Sequence, residues 1–218
     1  DIVNFFIDGN NRMWVVMKGY NRCYDIQQEA ASGDITLLPQ KTNLIYQTSL
    51  IYCFNDEQSL YYIDKEFNFY AFHIPTQKNE FIANLGKEIQ ERGKISSIVH
   101  YHNSYFVGFL MDGILLLEKQ KETNHYQIQS LPINSGVFCL KKDRFQDVVW
   151  IGTDGQGVYL YSNPLYSIKS MVLSNYTEKI ERPVRAIYLD DERTFWVGTK
   201  GNGILKIYDY EFDKNISD

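Results

Sequence analysis

Cysteine, histidine and proline are scarce in this chain, and each scarcity removes a class of explanation. Of 218 residues, three are cysteine, four histidine and five proline. Cys23, Cys53 and Cys139 form no Cys-x-x-Cys pair, and each sits in an apolar, strand-like run where a free thiol behaves as a small hydrophobe. They define neither a disulfide framework nor a redox compartment. No stretch of about 18 apolar residues is present, so no segment reads as a membrane-spanning helix. The first residues, DIVNFFIDGNN, lack a basic region followed by an apolar run, so no signal peptide is read there. A net charge of −5 gives no basic footprint, which argues against a nucleic-acid partner. Nucleophile-elbow, Walker-loop and calcium-loop patterns are missing as well.

What the chain does have is aromatic residues, with 17 tyrosines and 13 phenylalanines. That enrichment favours strands. It also has a repeat. VWIGTDGQGVYLY (149–161) recurs as FWVGTKGNGILKI (195–207), and each copy follows a strand-like run and a polar turn, VFCLKKDRFQD and VRAIYLDDERT. Weaker copies are YFVGFLMDGILLL (105–117), YCFNDEQSLYYI (52–63) and an N-terminal one around Trp14. The aromatic anchors are read at Trp14, Tyr52, Phe106, Trp150 and Trp196. Each copy alternates apolar runs with Asp-, Asn- or Gly-rich turns, the chemistry of tight hairpins. Four antiparallel strands in about 45 residues make a propeller blade. The predicted fold is therefore all-β, a β-propeller of about five four-stranded blades. The expected boundaries are 1–40, 41–75, 95–133, 134–180 and 181–218, with an insertion at 76–94 that holds at most a short helix.

The glycine-rich stretch invites a phosphate-loop reading, but such a loop needs a helix after it, whereas here a strand follows and the loop repeats. Gly152, Gly157, Gly198 and Gly203 are accordingly turn and packing positions, with Trp14, Trp150 and Trp196 as packing anchors between blades. Asp8, Asp143 and Asp190 recur in the same hairpin, so they cap turns rather than form the facing pair a glycosidase needs. His100 and His102 lie two apart, which on a strand would place both on one face, but no third ligand accompanies them and the pair brackets an apparent hairpin turn, so they are read as surface residues. No catalytic residue, metal site or cofactor is predicted. Asn-Tyr-Thr (175–177) and Asn-Ile-Ser (215–217) match glycosylation acceptors, but matches this short arise by chance.

The aromatic-Val/Ile-Gly-Thr-x-Gly-x-Gly signature, sharpest at 149–161 and 195–207, resembles the two-component regulator propeller repeat. The resemblance implies the extracytoplasmic, periplasmic sensor region of a hybrid two-component histidine kinase from polysaccharide-degrading gut bacteria. In that family two seven-bladed propellers, a small β-sandwich, a membrane helix, a kinase and a response regulator share one chain. This sequence would be five blades of such a sensor, forming an open arc or a ring closed from outside. The implied partners are an oligosaccharide, further blades or domains of the same protein and, at full length, a second copy in a homodimer. Contact with a membrane would come only through other segments. Ligand candidates lie in loops between second and third strands and in the lead-ins to first strands. They are Tyr20, Asp154, Gln156, Arg182, Arg185, Lys200 and Asn202, with Lys18, Glu57, Gln58, Met111 and Asp112 beside them. Tyr20 suits stacking on a sugar ring, and Arg185 and Lys200 suit a sulfate or uronate. Two other readings stay open: a carbohydrate-active enzyme on a propeller scaffold, and a propeller that only orients its neighbours.

Overall fold

The computed structural model describes residues 1–29, 33–120, 122–123, 125–162, 167–171, 173 and 182–208. The chain falls into two compact units, Asp1–Gln90 and Glu91–Asp218. In the first, β1 (Ile2–Ile7), β2 (Arg12–Met17), β3 (Asn21–Gln28) and β4 (Ile35–Gln40) pair in chain order. A second sheet contains β5 (Leu50–Asn55), β6 (Ser59–Asp64), β7 (Asn68–His73) and β8 (Lys78–Asn84), followed by the helix α1 (Gly86–Arg92). The second unit holds β9 (Ile95–Tyr101) to β12 (Tyr126–Ser130), with β10 at Ser104–Phe109 and β11 at Ile114–Lys119. Its next sheet is β13 (Val137–Lys142), β14 (Val148–Thr153), β15 (Val158–Ser162) and β16 (Ser167–Met171). The last comprises β17 (Val184–Leu189), β18 (Phe195–Thr199) and β19 (Ile204–Ile207), three strands among the described residues. All pairings are antiparallel, and the fold is a β-propeller of five blades, two in the first unit and three in the second.

Burial grades across each blade. The second strand of the fourth blade, β14, is buried at every position, while β4 on the outside of the first blade is exposed at every position. A strand packed on both faces needs a continuous apolar run such as VVWIGT. An outer edge strand tolerates Pro39, whose nitrogen has no proton for a ladder bond.

The second blade corrects two expectations. Segment 76–94, expected as an insertion, contains the fourth strand of that blade, β8, and only α1 is added to it. The anchor expected at Tyr52 lies in the first strand, and Tyr61 of β6 takes the equivalent place. Corrected, the anchors stand at 14, 61, 106, 150 and 196, now 44 to 47 residues apart. The slip arose because the second blade lacks both tryptophan and the signature glycines. Its turn after β6 uses Phe67 at positive φ (65°) where glycine stands in later blades.

One interaction explains why aspartate and tryptophan recur together. In the first blade Asp8 Oδ1 accepts the backbone N–H of Asn10 and Arg12 (2.9 and 3.0 Å), closing the hairpin between β1 and β2. Its Oδ2 accepts the indole N–H of Trp14 at 2.9 Å and Arg12 Nε at 2.9 Å. Asp143 does the same for Phe145, Gln146 and the Trp150 indole, and Asp190 for Glu192, Thr194 and the Trp196 indole. Asp56 accepts the Tyr61 hydroxyl as well as two backbone N–H groups. The third blade has phenylalanine at the anchor, which offers no donor, and its hairpin has His102 and Asn103 instead of an aspartate. Aspartate appears where the anchor ring needs an acceptor.

Neighbouring blades within a unit meet at the glycines that follow the anchor. A Cβ on Gly108 would lie 2.8 Å from Val137 Cγ1 of the next blade. One on Gly152 would lie 2.5 Å from Cys139 Sγ and 3.0 Å from Val184 Cγ1. Each glycine is the slot for the valine opening the next first strand. Anchor rings make the same crossing, Trp14 to Phe72 at 6.1 Å and Trp150 to Phe195 at 4.5 Å. Trp150 is buried as expected, whereas Trp196 is only partly covered, with Lys206 Nζ over its ring at 4.3 Å. For Gly198 the nearest atoms to an added Cβ, among the described residues, all belong to Ala186 of its own sheet, the closest at an ordinary 3.4 Å. The three cysteines are free, and burial pushes the Cys53 thiol up to about 12.

The Asp8 cap gives the first unit a defined acid sensitivity. Burial alone would raise this carboxyl, but the Trp14 indole, two backbone N–H groups and Arg12 outweigh burial and hold its pKa below 3.8. A carboxylate lowered by folding contributes stability above its unfolded pKa and loses it as pH falls through its folded value. Stability of the wild type should therefore decline below about pH 4, and Asp8→Asn should flatten that slope. Urea midpoints measured between about pH 2.5 and 6 check this. Parallel profiles for the two proteins would contradict it.

Candidate functional site

Each blade has two ends. One carries the hairpin between first and second strands, where the aspartates sit. The other carries the turn between second and third strands together with the lead-in to the next first strand. Three groups of candidate residues fall at the second end.

In the first blade Met17 N–H donates to the Tyr20 carbonyl at 2.9 Å, so Lys18 and Gly19 form a two-residue turn and Tyr20 emerges beside it. Lys18 pairs with Asp1 at 3.1 Å, and its carbonyl accepts the N–H of Leu50 at 2.8 Å, tying the turn to the next blade. Segment 41–49 crosses here, held by Asn21 Nδ2 donating to the Leu44 carbonyl at 2.7 Å. Between turn and crossing segment lies a cavity of about 280 Å³, lined by Gly19, Tyr20, Asn21, Thr42, Leu44, Ile45 and Tyr46. Tyr20 is 51% exposed, with the Arg22 guanidinium 5.7 Å from its ring centroid.

The second group joins the third and fourth blades. Gly113 N–H donates to the Ser135 carbonyl, Ser135 Oγ to the Asp154 carbonyl and Asp154 N–H to the Gly136 carbonyl, all at 2.8–2.9 Å. Asp154 and Gln156 come together in this rim. The Asp154 carboxylate is exposed, but Gln156 bridges the Asn134 carbonyl (3.4 Å) and the Tyr159 hydroxyl (3.0 Å). Asp112 is engaged by Arg92, which also donates to Ser130 Oγ. Met111 is 80% exposed.

The third group is in the fifth blade. Lys200 N–H donates to the Pro183 carbonyl at 2.9 Å, which sets Lys200 beside the lead-in bearing Arg182, and Asn202 follows in the same turn. All three side chains are exposed. Arg185 is different: it lies in β17, and its guanidinium stacks 3.5 Å from the Phe138 centroid of the fourth blade. It joins blades instead of standing free in a loop.

Glu57 and Gln58 correct a further expectation. They occupy the hairpin between β5 and β6, at the aspartate end, because the register in that blade was displaced; the true turn between second and third strands is Asp64–Phe67. His102 lies in the hairpin turn read there from the sequence. It sits at φ 53° and pairs with Asp147 at 2.8 Å, while the His100 ring packs on Tyr105 at 4.7 Å. Among the described residues no group of three or more potential ligands converges on a metal position. The glycosylation-like triplets lie outside the described residues.

The hairpin carboxylates are poorly suited to acid–base work. Asp8, Asp143 and Asp190 each accept two backbone N–H bonds and an indole N–H, one such carboxylate to a blade. These donors fill the lone pairs a general base would use. At the other end the first blade offers an exposed Tyr20 beside Asn21, Thr42 and Tyr46, and the fifth blade offers exposed Lys200 and Asn202.

This architecture defines a β-propeller. The chain is similar in structure to the extracellular domain of the putative hybrid two component system BT3049 from B. thetaiotaomicron. That match has TM-score 0.52 and 16% identity over 94% of this chain and 26% of that one. It is similar also to the corresponding domain of BT4673 from the same organism, with TM-score 0.52 and 17% identity over 100% of this chain and 33% of that one. PorZ, a surface component of the type-IX secretion system of Porphyromonas gingivalis, matches with TM-score 0.57 and 13% identity over 95% and 32%. The chain thus spans about a quarter to a third of the length of these proteins. No family model and no curated protein matches the sequence.

Proposed function

We propose that this chain is an extracytoplasmic sensor segment of a hybrid two-component signalling protein, and that it binds an oligosaccharide rather than transforming one. The observation that supports this reading is the Trp-Ile/Val-Gly-Thr-x-Gly-x-Gly repeat, carried on blades whose fold is that of two-component extracellular domains. In the full protein the segment is periplasmic, works beside further blades in a homodimer, and reports to a histidine kinase on the far side of the membrane. A ligand can shift that kinase only by favouring one arrangement of the sensor over another.

A glycan panel tests the reading, with melting temperature and released reducing ends followed in the same samples. A glycan at about one hundred times its Kd should stabilise the chain by about 2.7 kcal/mol, several degrees in melting, with no product. Product formation would favour the enzyme, and a panel without any shift would favour a propeller that only orients its neighbours.

A further inference from the structure

Blades within a unit pair in a fixed sense: the face bearing the anchor and its following glycine covers the opposite face of the next blade. Strand register gives that covered face its own pattern. In the fifth blade Val184, Ile187 and Leu189 of β17 stand opposite Thr199, Val197 and Phe195 of β18. Those three β17 residues pack with the fourth blade and are no more than 9% exposed. The first blade repeats the pattern, with Ile2, Phe5 and Ile7 of β1 opposite Met17, Val15 and Met13 of β2. Tyr24 and Ile26 of β3 and Leu37 of β4 continue the same face outward. Here, however, Ile2 is 65% exposed, Phe5 58% and Ile7 54%. A contiguous apolar surface left open in this way marks an interaction site.

The fifth blade is bare on its other face, the one bearing the anchor. Register aligns Tyr188, Trp196, Gly198 and Ile204 there. Trp14 and Trp150 are fully buried in the equivalent place, whereas Trp196 is only partly covered and Ile204 is 71% exposed. A Cβ on Gly108 or Gly152 would meet a valine of the next blade at 2.8 or 3.0 Å. On Gly198 the nearest atoms, among the described residues, belong to its own sheet.

We infer that these two faces bind each other between copies of this chain, head to tail, the first blade of one copy docking on the fifth blade of the next. The fit follows the contacts already made between blades. Ile2 precedes the same irregularity of register as Val137 and Val184, so it is the side chain that fills the slot at Gly198. Met13 stands where Phe195 stands, so it lies over Trp196 as Phe195 lies over Trp150. Burial of apolar surface drives the association. The contact joins two different surfaces, so each pair of copies keeps one free face at either end and growth continues beyond a dimer unless the assembly closes on itself. It is independent of the glycan reading.

The experiment is sedimentation analysis of the intact chain from about 1 to 100 μM, comparing the wild type with Phe5→Asp and Ile204→Asp. Both side chains are exposed, so the variants should melt with the wild type, which separates lost association from lost folding. The average mass of the wild type should rise with concentration past that of a dimer. Each variant alone should stay monomeric, because a charge buried without a partner spoils one of its two faces. Mixed in equal amounts, the variants should form a dimer and stop there, since the intact fifth blade of Phe5→Asp meets the intact first blade of Ile204→Asp. A wild type that is monomeric throughout would overturn the inference and leave the faces to a different partner. Association that survives Ile204→Asp but not Phe5→Asp would overturn it too, showing first blades paired with each other. So would a mixture of the variants that forms no dimer.

Discussion

Replacing Trp150 with alanine is expected to destabilise the second unit by about 3–5 kcal/mol, the range for truncating a buried aromatic. The indole is fully buried, it donates to Asp143 at 2.8 Å, and its ring lies 4.5 Å from Phe195 of the next blade. Alanine leaves a cavity between two blades and strips the buried Asp143 carboxylate of one donor. The two losses can be separated. Trp150→Phe keeps much of the ring volume but no donor, so its cost should be smaller and come mainly from the unsatisfied carboxylate, about 1–3 kcal/mol. Trp196→Ala supplies the comparison within the same repeat, because that ring is only partly covered and sits under Lys206. Urea unfolding followed by circular dichroism should rank the losses Trp150→Ala above Trp196→Ala. Equal losses would mean that packing between blades does not carry the anchor's contribution.

Gly136→Ala is the second substitution with a large expected effect. An alanine Cβ there would lie 2.1 Å from the Leu110 carbonyl oxygen and 3.0 Å from its carbon, in the turn of the preceding blade. Backbone cannot swing aside as a side chain can, so the rim linking the third and fourth blades must open. Overpacking of this kind costs typically 1–3 kcal/mol, and a clash with backbone belongs at or above the upper end. Gly198→Ala is the control: among the described residues its Cβ lies nearest Ala186, at 3.4 Å, and its effect should stay within about 1 kcal/mol. Denaturant midpoints of the two variants decide the matter. If Gly136→Ala is as stable as Gly198→Ala, the close approach between these blades is not as described.

The last two blades were the most legible in the sequence, because Trp150 and Trp196 stand in near-identical strings and the turn glycines follow at the same offsets. Legibility failed where chemistry was substituted. In the second blade a tyrosine replaces tryptophan and Phe67 adopts the left-handed turn conformation, so Tyr52 looked like the anchor when Tyr61 was. The signal that would have corrected it was present: an aspartate five to seven residues before each donor-bearing anchor, at 8, 56, 143 and 190. Aspartate was readable as a turn cap, but its bond to the anchor ring needed the geometry of the paired strands. For the site, Tyr20 was legible as an exposed aromatic in a turn. Its partners Thr42, Ile45 and Tyr46 were not, since they lie in a segment without periodicity that is placed only by the pairing of neighbouring blades. Arg185 was misread for a related reason. Sequence proximity to Arg182 suggested a loop, while strand pairing turned it onto Phe138.

The central claim is that recognition lies at the turn and lead-in end of the blades and that the hairpin carboxylates are structural. An amide correlation spectrum of the isotopically labelled chain, recorded with and without the glycan that raises its melting temperature, tests it most directly. Shifts are expected at Gly19, Tyr20 and Asn21, with the indole N–H signals of Trp14, Trp150 and Trp196 unmoved because each remains bonded to its aspartate. Shifts concentrated on those indoles and on the hairpins around Asp8, Asp143 and Asp190, accompanied by signals of a cleaved glycan, would contradict the claim and assign the carboxylates to catalysis.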